Sequence, residues 1–449
     1  MHTLDRLASL PPLRFDKHTR AELKQYFLNT WELYEALKSS IAEERYFYEA
    51  PDPLRHPLIF YLGHTAAFYV NKLKMSGYIK EGLNPRYEVL FAVGVDPEKE
   101  DDLEKGIDWP AVADVWAYRA DVKKLVLDFI DNAPLMSEVD TKDPMWALHM
   151  GLEHERIHFE TSSVLMRQYP AHYLKKPDSW TYAPIKPDVE AKGKMVHIEG
   201  GSVTLGKPAD FPSYGWDNEY GTKEAKVASF EVNSLMVTNS EFADFVNDKG
   251  YERKEYWSDE GWAWKEEYSM SFPKFWIPDN AKGYRYRAMY DELDMPESWP
   301  VEVTCFEAQA YCKWKGSGYR LMTEGEWKLA TKHAPEVQGD PMYCNFYNMN
   351  MAFGSPSPVG MMKSCFTQDG VADLFGNVWD WISNDFYPLE GFRRHDWYQD
   401  FSEPYMDEQH GMLMGAAWAT TGTGASKYYR LWFRRGFFQH AGFRLARSL

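Results

Sequence analysis

Basic side chains are in short supply: 50 Lys and Arg stand against 67 Asp and Glu, a formal net charge of −17. Tracking a phosphate backbone takes clustered cations, so this balance argues against nucleic acid as a partner. Long hydrophobic runs are lacking too. No stretch reaches the roughly 18 apolar residues that mark a membrane-spanning helix. The opening MHTLDRLASLPPLRFDKHTR is polar and contains acids, so it does not read as a secretory signal. Cysteine is sparse, four in 449 residues, too few for a disulfide framework. There is no internal repeat and no low-complexity tract. The expectation is a soluble, reduced, cytoplasmic protein with no membrane and no nucleic-acid partner. A hydrophobic share of 44% with 26% charged residues is ordinary globular composition. The length allows two or three domains.

What the chain has in excess is aromatic side chains, 16% of residues, with 18 Trp and 29 Tyr. Buried indoles and phenols need hydrogen-bond partners, so a region dense in them is expected to be loop-rich and wired by side chains. Their distribution divides the chain. The first part carries helical periodicity in four segments: ELKQYFLNTWELYEALKSSI, LIFYLGHTAAFYVNKLKMSGYI after Pro57, ADVWAYRADVKKLVLDFIDNA, and MWALHMGLEHERIHFETSSVLMRQY after Asp143-Pro144. Four helices of about 20 residues suit an antiparallel bundle. The long connection between the second and third contains its own apolar stretch, YEVLFAVGV, and is expected to be ordered. After Pro170 comes a Pro- and Lys-rich strap. From Met195 onward short apolar runs alternate with Gly, Pro, Asn and Asp. The expected organisation is a helical domain over residues 1–186 and an α+β domain with little regular structure over 187–449.

The sharpest local signal is His154-Glu155-Arg156-Ile157-His158 within the fourth helix. Two His at i and i+4 stand one above the other on one face, as chelation of one ion requires. As a bare motif this is the zincin signature, with Glu155 as general base. At about 100° per residue, His158 lies roughly 40° from His154, while Glu160 lies roughly 240° away and cannot complete a site on that face. A third ligand must come from another helix. The best candidate is His64, set among Phe60, Tyr61, Phe68 and Tyr69, with Gly63 permitting close helix approach. Three His with open positions suit Fe(II) or catalytic Zn(II). Glu153, Glu155 and Glu160 read as groups behind the ligands or on the surface.

An ordered series of motifs then carries a family resemblance. Glu199-Gly200-Gly201, Val237-Thr238-Asn239-Ser240-Glu241-Phe242, Trp299-Pro300-Val301-Glu302-Val303, Arg320-Leu321-Met322-Thr323-Glu324-Gly325-Glu326-Trp327, Asp373-Leu374-Phe375-Gly376-Asn377-Val378-Trp379-Asp380-Trp381 and Ala441-Gly442-Phe443-Arg444 follow one another. This half resembles the formylglycine-generating-enzyme-like (sulfatase-modifying-factor) domain, which is C-type-lectin-like in fold. The first half resembles a DinB-like four-helix bundle. That pairing resembles the non-haem-iron sulfoxide synthases of thiohistidine biosynthesis. Within them RHPLIFYLGHTAAFYVNKL, FAVGVD, GLEHERIHFETSSVLMRQ, GWDNEY, YPLEGFRRHDWYQDFS and FRRGFFQHAGFR are most similar to the ovothiol branch, 5-histidylcysteine sulfoxide synthase.

The resemblance implies an Fe(II) cofactor on His64, His154 and His158, and cysteine, histidine and O2 as substrates. It implies Tyr398 as the active-site tyrosine, and Tyr387, Arg434 and Arg435 at the substrates. The neighbouring branch implies an ergothioneine- or selenoneine-type synthase using trimethylhistidine as the alternative. The more distant reading is a zinc hydrolase on HExxH. The chain departs from the family's usual Gly-Gly-Ser-Trp with Gly415-Ala416-Ala417-Trp418, and Asp396-Trp397 precede Tyr398 where Pro and an aliphatic residue are usual. It carries no methyltransferase segment after Arg444, so the expectation is either a separate methyltransferase acting on a later product or a pathway that ends elsewhere. Cys305, Cys312, Cys344 and Cys365 are expected to be packing residues.

Overall fold

In the computed structural model, which describes residues 7–92, 106–186 and 192–449, the four helices of the first half begin and end where the sequence supplies caps. The first, α1 (Arg20–Ser39), opens on Thr19, whose hydroxyl accepts from Glu22 N while the Glu22 carboxylate accepts from Thr19 N at 2.7 Å. That reciprocal box satisfies two of the donors a helix start leaves over. Next come α2 (Leu58–Met75), short α3 (Pro85–Leu90), α4 (Val112–Asn132) and α5 (Pro144–Arg167). Asp143 caps α5 through Met145 N at 2.7 Å, and Pro144 takes the first helical position, where no N–H is needed. Gly77, at φ +78°, turns the chain away just past α2.

The helix directions correct the expectation of a simple antiparallel bundle. Along α2 and α5 the contacts run in opposite senses, His64 with His158 and Phe68 with His154, so these two are antiparallel. Lys24 meets Asp131 and Trp31 meets Arg119, so α1 and α4 are antiparallel as well. Yet Thr65 meets Arg119 while Tyr78, just past α2, meets Phe129, so α2 and α4 run the same way. Two successive parallel helices demand a connection that travels back along the bundle, about 27 Å for an 18-residue helix. This is the reason for the long segment between them. It contains α3; the Val93–Val95 end of YEVLFAVGV and most of FAVGVD lie outside the described residues.

The four long helices meet at Arg119 of α4, which is fully buried. Its Nη1 donates to Leu62 O at 3.2 Å and to Thr65 Oγ1 at 2.7 Å on α2, and its Nη2 donates to Glu155 Oε1 at 2.8 Å on α5. The guanidinium lies over the Trp31 and Tyr34 rings of α1 at 4.2 and 5.0 Å. Neither side chain of the Arg119–Glu155 pair touches solvent.

Two compact units make up the chain: Met1–Ser179 with Ala209–Tyr214, and Trp180–Pro208 with Gly215–Leu449. The partition differs from the expected cut at 186/187. Trp180 Nε1 donates to Gly354 O at 2.9 Å and Ala183 N to Ser355 Oγ at 3.0 Å, which ties the end of the strap to the second unit. Residues Ala209–Tyr214 join the first, where Pro212 O accepts from Phe15 N and Tyr214 packs on Trp146. Residues 187–191 of the strap lie outside the described residues.

In the second unit short helices sit among small sheets, and the family motifs prove to be caps and anchors. Thr238 with Glu241, Thr304 with Glu307 and Thr323 with Glu326 each form the same reciprocal box at a helix start. Strand Phe230–Asn233 is flanked by Met195–Ile198 on one edge and by Ala446–Ser448 on the other, both antiparallel, so the two ends of the domain close one sheet. A second sheet has the order Leu431–Arg434, His410–Met414, Trp379–Asp385, Ala441–Gly442. Arg444 is buried and bridges the two sheets, donating to Asp380 Oδ2 at 3.0 Å in the second and to Asn233 O at 3.4 Å in the first, with a further bond to Asp373 O at 2.9 Å. All four cysteines are free and buried. Among the described residues no helix is long and apolar enough to cross a membrane.

Replacing Arg119 by Met leaves Glu155 buried without its counter-charge and is expected to cost about 3–5 kcal/mol. Adding Glu155→Leu to that variant is expected to restore most of the loss. Urea denaturation followed by far-ultraviolet circular dichroism measures both.

Candidate metal centre

His64, His154 and His158 converge between α2 and α5. Their ligand nitrogens all lie within 4.8 Å of one another. His154 and His158 bring their Nε2 atoms to 3.1 Å, as their i, i+4 spacing requires. His64 faces them from the antiparallel helix, with ring centroids at 4.8 and 4.7 Å. This joins the His154–His158 pair expected from helical spacing with the His64 expected from its aromatic surroundings.

The backbone decides the tautomer of His64. Its Nδ1 lies 2.7 Å from Phe91 O, and a carbonyl only accepts, so Nδ1 carries the proton and Nε2 keeps its lone pair. Such an outer partner fixes the ring and raises its basicity as a ligand. Gly63 makes this possible, although not by the helix approach expected of it. A Cβ there would meet the Phe91 ring at 2.5 Å, so the missing side chain makes room for Phe91. The close approach of α2 to α5 belongs instead to Gly151, where a Cβ would meet the Tyr69 ring at 2.4 Å. Phe60 stacks on His64 at 5.0 Å and Phe68 on His154 at 3.6 Å and 8°.

Burial sets the electrostatics. It pushes His64 down to about 4, and burial with mutual repulsion holds His154 and His158 well below the usual imidazole range. The three rings are therefore neutral at pH 7, the form that binds metal. The interior nearby is dry enough that Lys38, donating to Ser162 Oγ at 2.9 Å, is also held well below its usual value by burial.

Glu155 corrects the zincin reading. Its two oxygens are taken by Arg119, by Thr65 Oγ1 at 3.3 Å and by Tyr69 Oη at 3.0 Å. A fully buried carboxylate held by three donors in an ion pair between helices serves the scaffold and is not a free general base for metal-bound water. Nor are Glu153 and Glu160 on the surface: both are buried, and Glu153 accepts from Tyr26 Oη at 2.7 Å.

The second unit holds the other residues implied by the resemblance, in three separate settings. Tyr398 is half-buried in a turn closed by its own N–H to His395 O at 3.0 Å, and burial raises its hydroxyl well above the usual phenol value. Tyr387 donates to the Glu324 carboxylate, with Lys223 and Arg430 over its ring at 4.1 and 4.8 Å. Arg434 donates to Gln409 Oε1 at 3.0 Å. Arg435 pairs with Asp385, with Glu260 at 3.8 Å.

Several contributors went unseen in the sequence. Phe91 acts through its carbonyl and leaves no side-chain signal. Arg119 did leave one: it interrupts the buried stripe Val112, Val115, Val122, Val126, Phe129 at a core position. Arg430, Asp217 and Ser402 lie in or beside motifs that carried the resemblance without being given a role.

Known proteins resolve what these features add up to. Residues 182–449 match the sulfatase-modifying factor enzyme 1-like domain and residues 26–162 the DinB superfamily. A hercynine oxygenase from Mycolicibacterium thermoresistibile is 31% identical over 415 residues, covering 88% of this chain and 88% of that protein. The chain belongs to the sulfoxide synthase family of the hercynine oxygenases. Ergothioneine biosynthesis protein 1 of Schizosaccharomyces pombe is 24% identical over 89% of this chain, which spans 52% of that protein. An inactive C-alpha-formylglycine-generating enzyme 2 from Mus musculus is 28% identical and matches 52% of this chain and 77% of its own. Family membership makes this sulfoxide synthase relative an oxidoreductase.

Two outcomes are expected. Gly63→Ala displaces Phe91 and should weaken metal binding about 10–100-fold, the usual effect of losing an outer partner, with helicity unchanged; competition against a chelating dye reads it. In the metal-free protein, protons bind the unfolded chain first as the pH falls below about 6.5, because the folded imidazoles titrate lower. Stability of the helical unit should therefore fall from about pH 6.5 towards 4, and metal affinity with it. Thermal melts across that range check both signs.

Proposed function

We propose that the chain is a non-haem Fe(II), O2-dependent sulfoxide synthase that joins the sulfur of cysteine to the imidazole ring of histidine, giving 5-histidylcysteine sulfoxide. The observation that carries the reading is the set of three neutral imidazoles, His64 and His154 buried and His158 half-buried, with His64 oriented by Phe91 O. An all-imidazole set that supplies no anionic ligand suits Fe(II) when three positions stay open for reactants. The overall balance is thiol plus imidazole C–H plus O2 giving sulfoxide plus water: one C–S bond forms, one oxygen atom goes to sulfur, and the other leaves as water with the two hydrogens. The competing outcome, thiol plus O2 giving sulfinic acid, needs no imidazole.

His64, His154 and His158 would hold the ion. When bound, it supplies the redox chemistry of O2 and a meeting point for thiol and imidazole. The chain's own groups do the rest. The Tyr398 hydroxyl, kept protonated by burial, holds a proton at Oη that can be delivered as the C–S bond forms, which biases the outcome towards coupling. Arg434 and Arg435 serve the carboxylates of the two amino acids through the two-pronged geometry of the guanidinium, Arg435 by exchanging Asp385. Tyr387 lines the substrates' surroundings while its hydroxyl stays on Glu324.

A second reading has its own support. The relatives named for hercynine favour trimethylhistidine as the imidazole substrate, and Asp396-Trp397 before Tyr398 depart from the histidine-using branch, while the motif around His64 favours plain histidine. The protein loaded anaerobically with Fe(II) and given cysteine and histidine in air should yield the coupled sulfoxide by mass spectrometry, and His154→Ala should lose it. Product from trimethylhistidine alone would move the assignment to the ergothioneine type. Cysteine sulfinate as the sole product with either imidazole would overturn both.

A further inference from the structure

The segments GWDNEY and HDWYQDFS lie some 180 residues apart in the chain and meet in the second unit. Ser402, fully buried, donates its hydroxyl to Asp217 Oδ1 at 2.7 Å. One residue earlier on each side, Trp216 stacks on Phe401 at 4.1 Å and 20°. Trp216 also meets Tyr398 edge-on at 6.2 Å, and Phe401 meets Tyr398 at 5.3 Å. Two adjacent residues of one segment thus grip Tyr398, Phe401 and Ser402 of the other, while Gln399 and Asp400 between them are exposed.

The gripping side is rigid. Trp216 N donates to Glu219 Oε1 at 2.8 Å, closing the turn on itself. Asn218 Nδ2 donates to Arg430 O at 2.8 Å and receives Arg430 Nη1 on its own carbonyl at 3.1 Å. Arg430 in turn is paired with Glu324 at 2.7 Å, both buried. The gripped side has short local contacts of its own: a turn at His395–Tyr398, bonds from Trp397 N to His395 Nδ1 at 3.1 Å and from Phe401 N to Tyr398 O at 3.4 Å, and the Arg394–Glu403 pair at 2.8 Å across its ends. Asp217 and Trp216 fasten it to the turn opposite.

We propose that Asp217 and Ser402 form a clasp that positions the Tyr398 segment, with the Trp216–Phe401 stack as its second point of hold. Asp217 is a positioning residue here and touches no reacting atom. The inference rests on the reading of Tyr398 as the reaction's phenol for its effect on chemistry, and on the contacts alone for its effect on the segment.

The test reads both in the Fe(II)-loaded full chain. Arg393 and Arg394 are exposed just before the segment, so tryptic cleavage there reports its release. Ser402→Ala and Asp217→Leu are expected to raise the cleavage rate at least about tenfold and to lower the ratio of coupled sulfoxide to sulfinate by a similar factor. Asp217→Asn keeps an acceptor oxygen for Ser402 and should restore both readouts, which a general folding defect would not allow. Unchanged cleavage in Ser402→Ala and Asp217→Leu would overturn the clasp, as would an Asp217→Asn variant as loose as Asp217→Leu. Tyr398→Phe, which leaves the clasp intact, separates the two readings. If it keeps the wild-type product ratio, the role given to Tyr398 fails while the cleavage data still decide the clasp.

Discussion

A guanidinium that has left water must find its counter-charge within the same dry volume, and Arg119 finds it in Glu155. The Nη1 of Arg119 goes to Leu62 O and Thr65 on α2, and its flat face goes to Trp31 and Tyr34 on α1. Charges in a medium of low dielectric tolerate little displacement, because each lost partner leaves a polar group unsatisfied. The pair therefore sets the height of α2 against α5. His64 lies one residue from Thr65 and His154 one residue from Glu155, so the same contacts that hold Arg119 also set the facing imidazoles opposite each other.

The bundle's connectivity does a second job for the site. With α2 and α4 parallel, the chain must run back along the bundle between them, and on the way it passes α2 beside Gly63. There Phe91 buries its ring and offers its carbonyl to His64. A direct hairpin between α2 and α4 would deliver neither. The orientation of the His64 ring is thus a by-product of the crossover.

The second unit follows a different economy. Its helices are short and its strands few in residues, and its stability resides in side-chain wiring such as the three Thr–Glu boxes, the Arg444 bridge and the Arg430–Glu324 pair. Many residues that carried the family resemblance are this wiring. The Thr and Glu of VTNSEF and of LMTEGEW cap helices, and the Arg of AGFR bridges carbonyl and carboxylate. Motifs of this kind identify the architecture strongly and say little about chemistry. Tyr387, with its hydroxyl on Glu324, shows how a residue singled out by resemblance can also belong to the scaffold.

Helical period, caps and the i, i+4 rule are local properties, and these the sequence by itself determined: the four long helices, the pairing of His154 with His158, the exclusion of Glu160 from their face, and the change of texture after the strap. The meeting of His64 with the His154–His158 pair was also legible, as an imidazole on an otherwise apolar and aromatic stretch. The role of Glu155 was decided only by the tertiary structure. HExxH reads as a base beside a metal until Arg119, 36 residues away in sequence, claims the carboxylate. The parallel course of α2 and α4, the carbonyl of Phe91 and the meeting of Asp217 with Ser402 were likewise beyond reach. Each depends on which distant atoms share a volume, and spacing along a chain constrains that only within a helix turn or a strand pair.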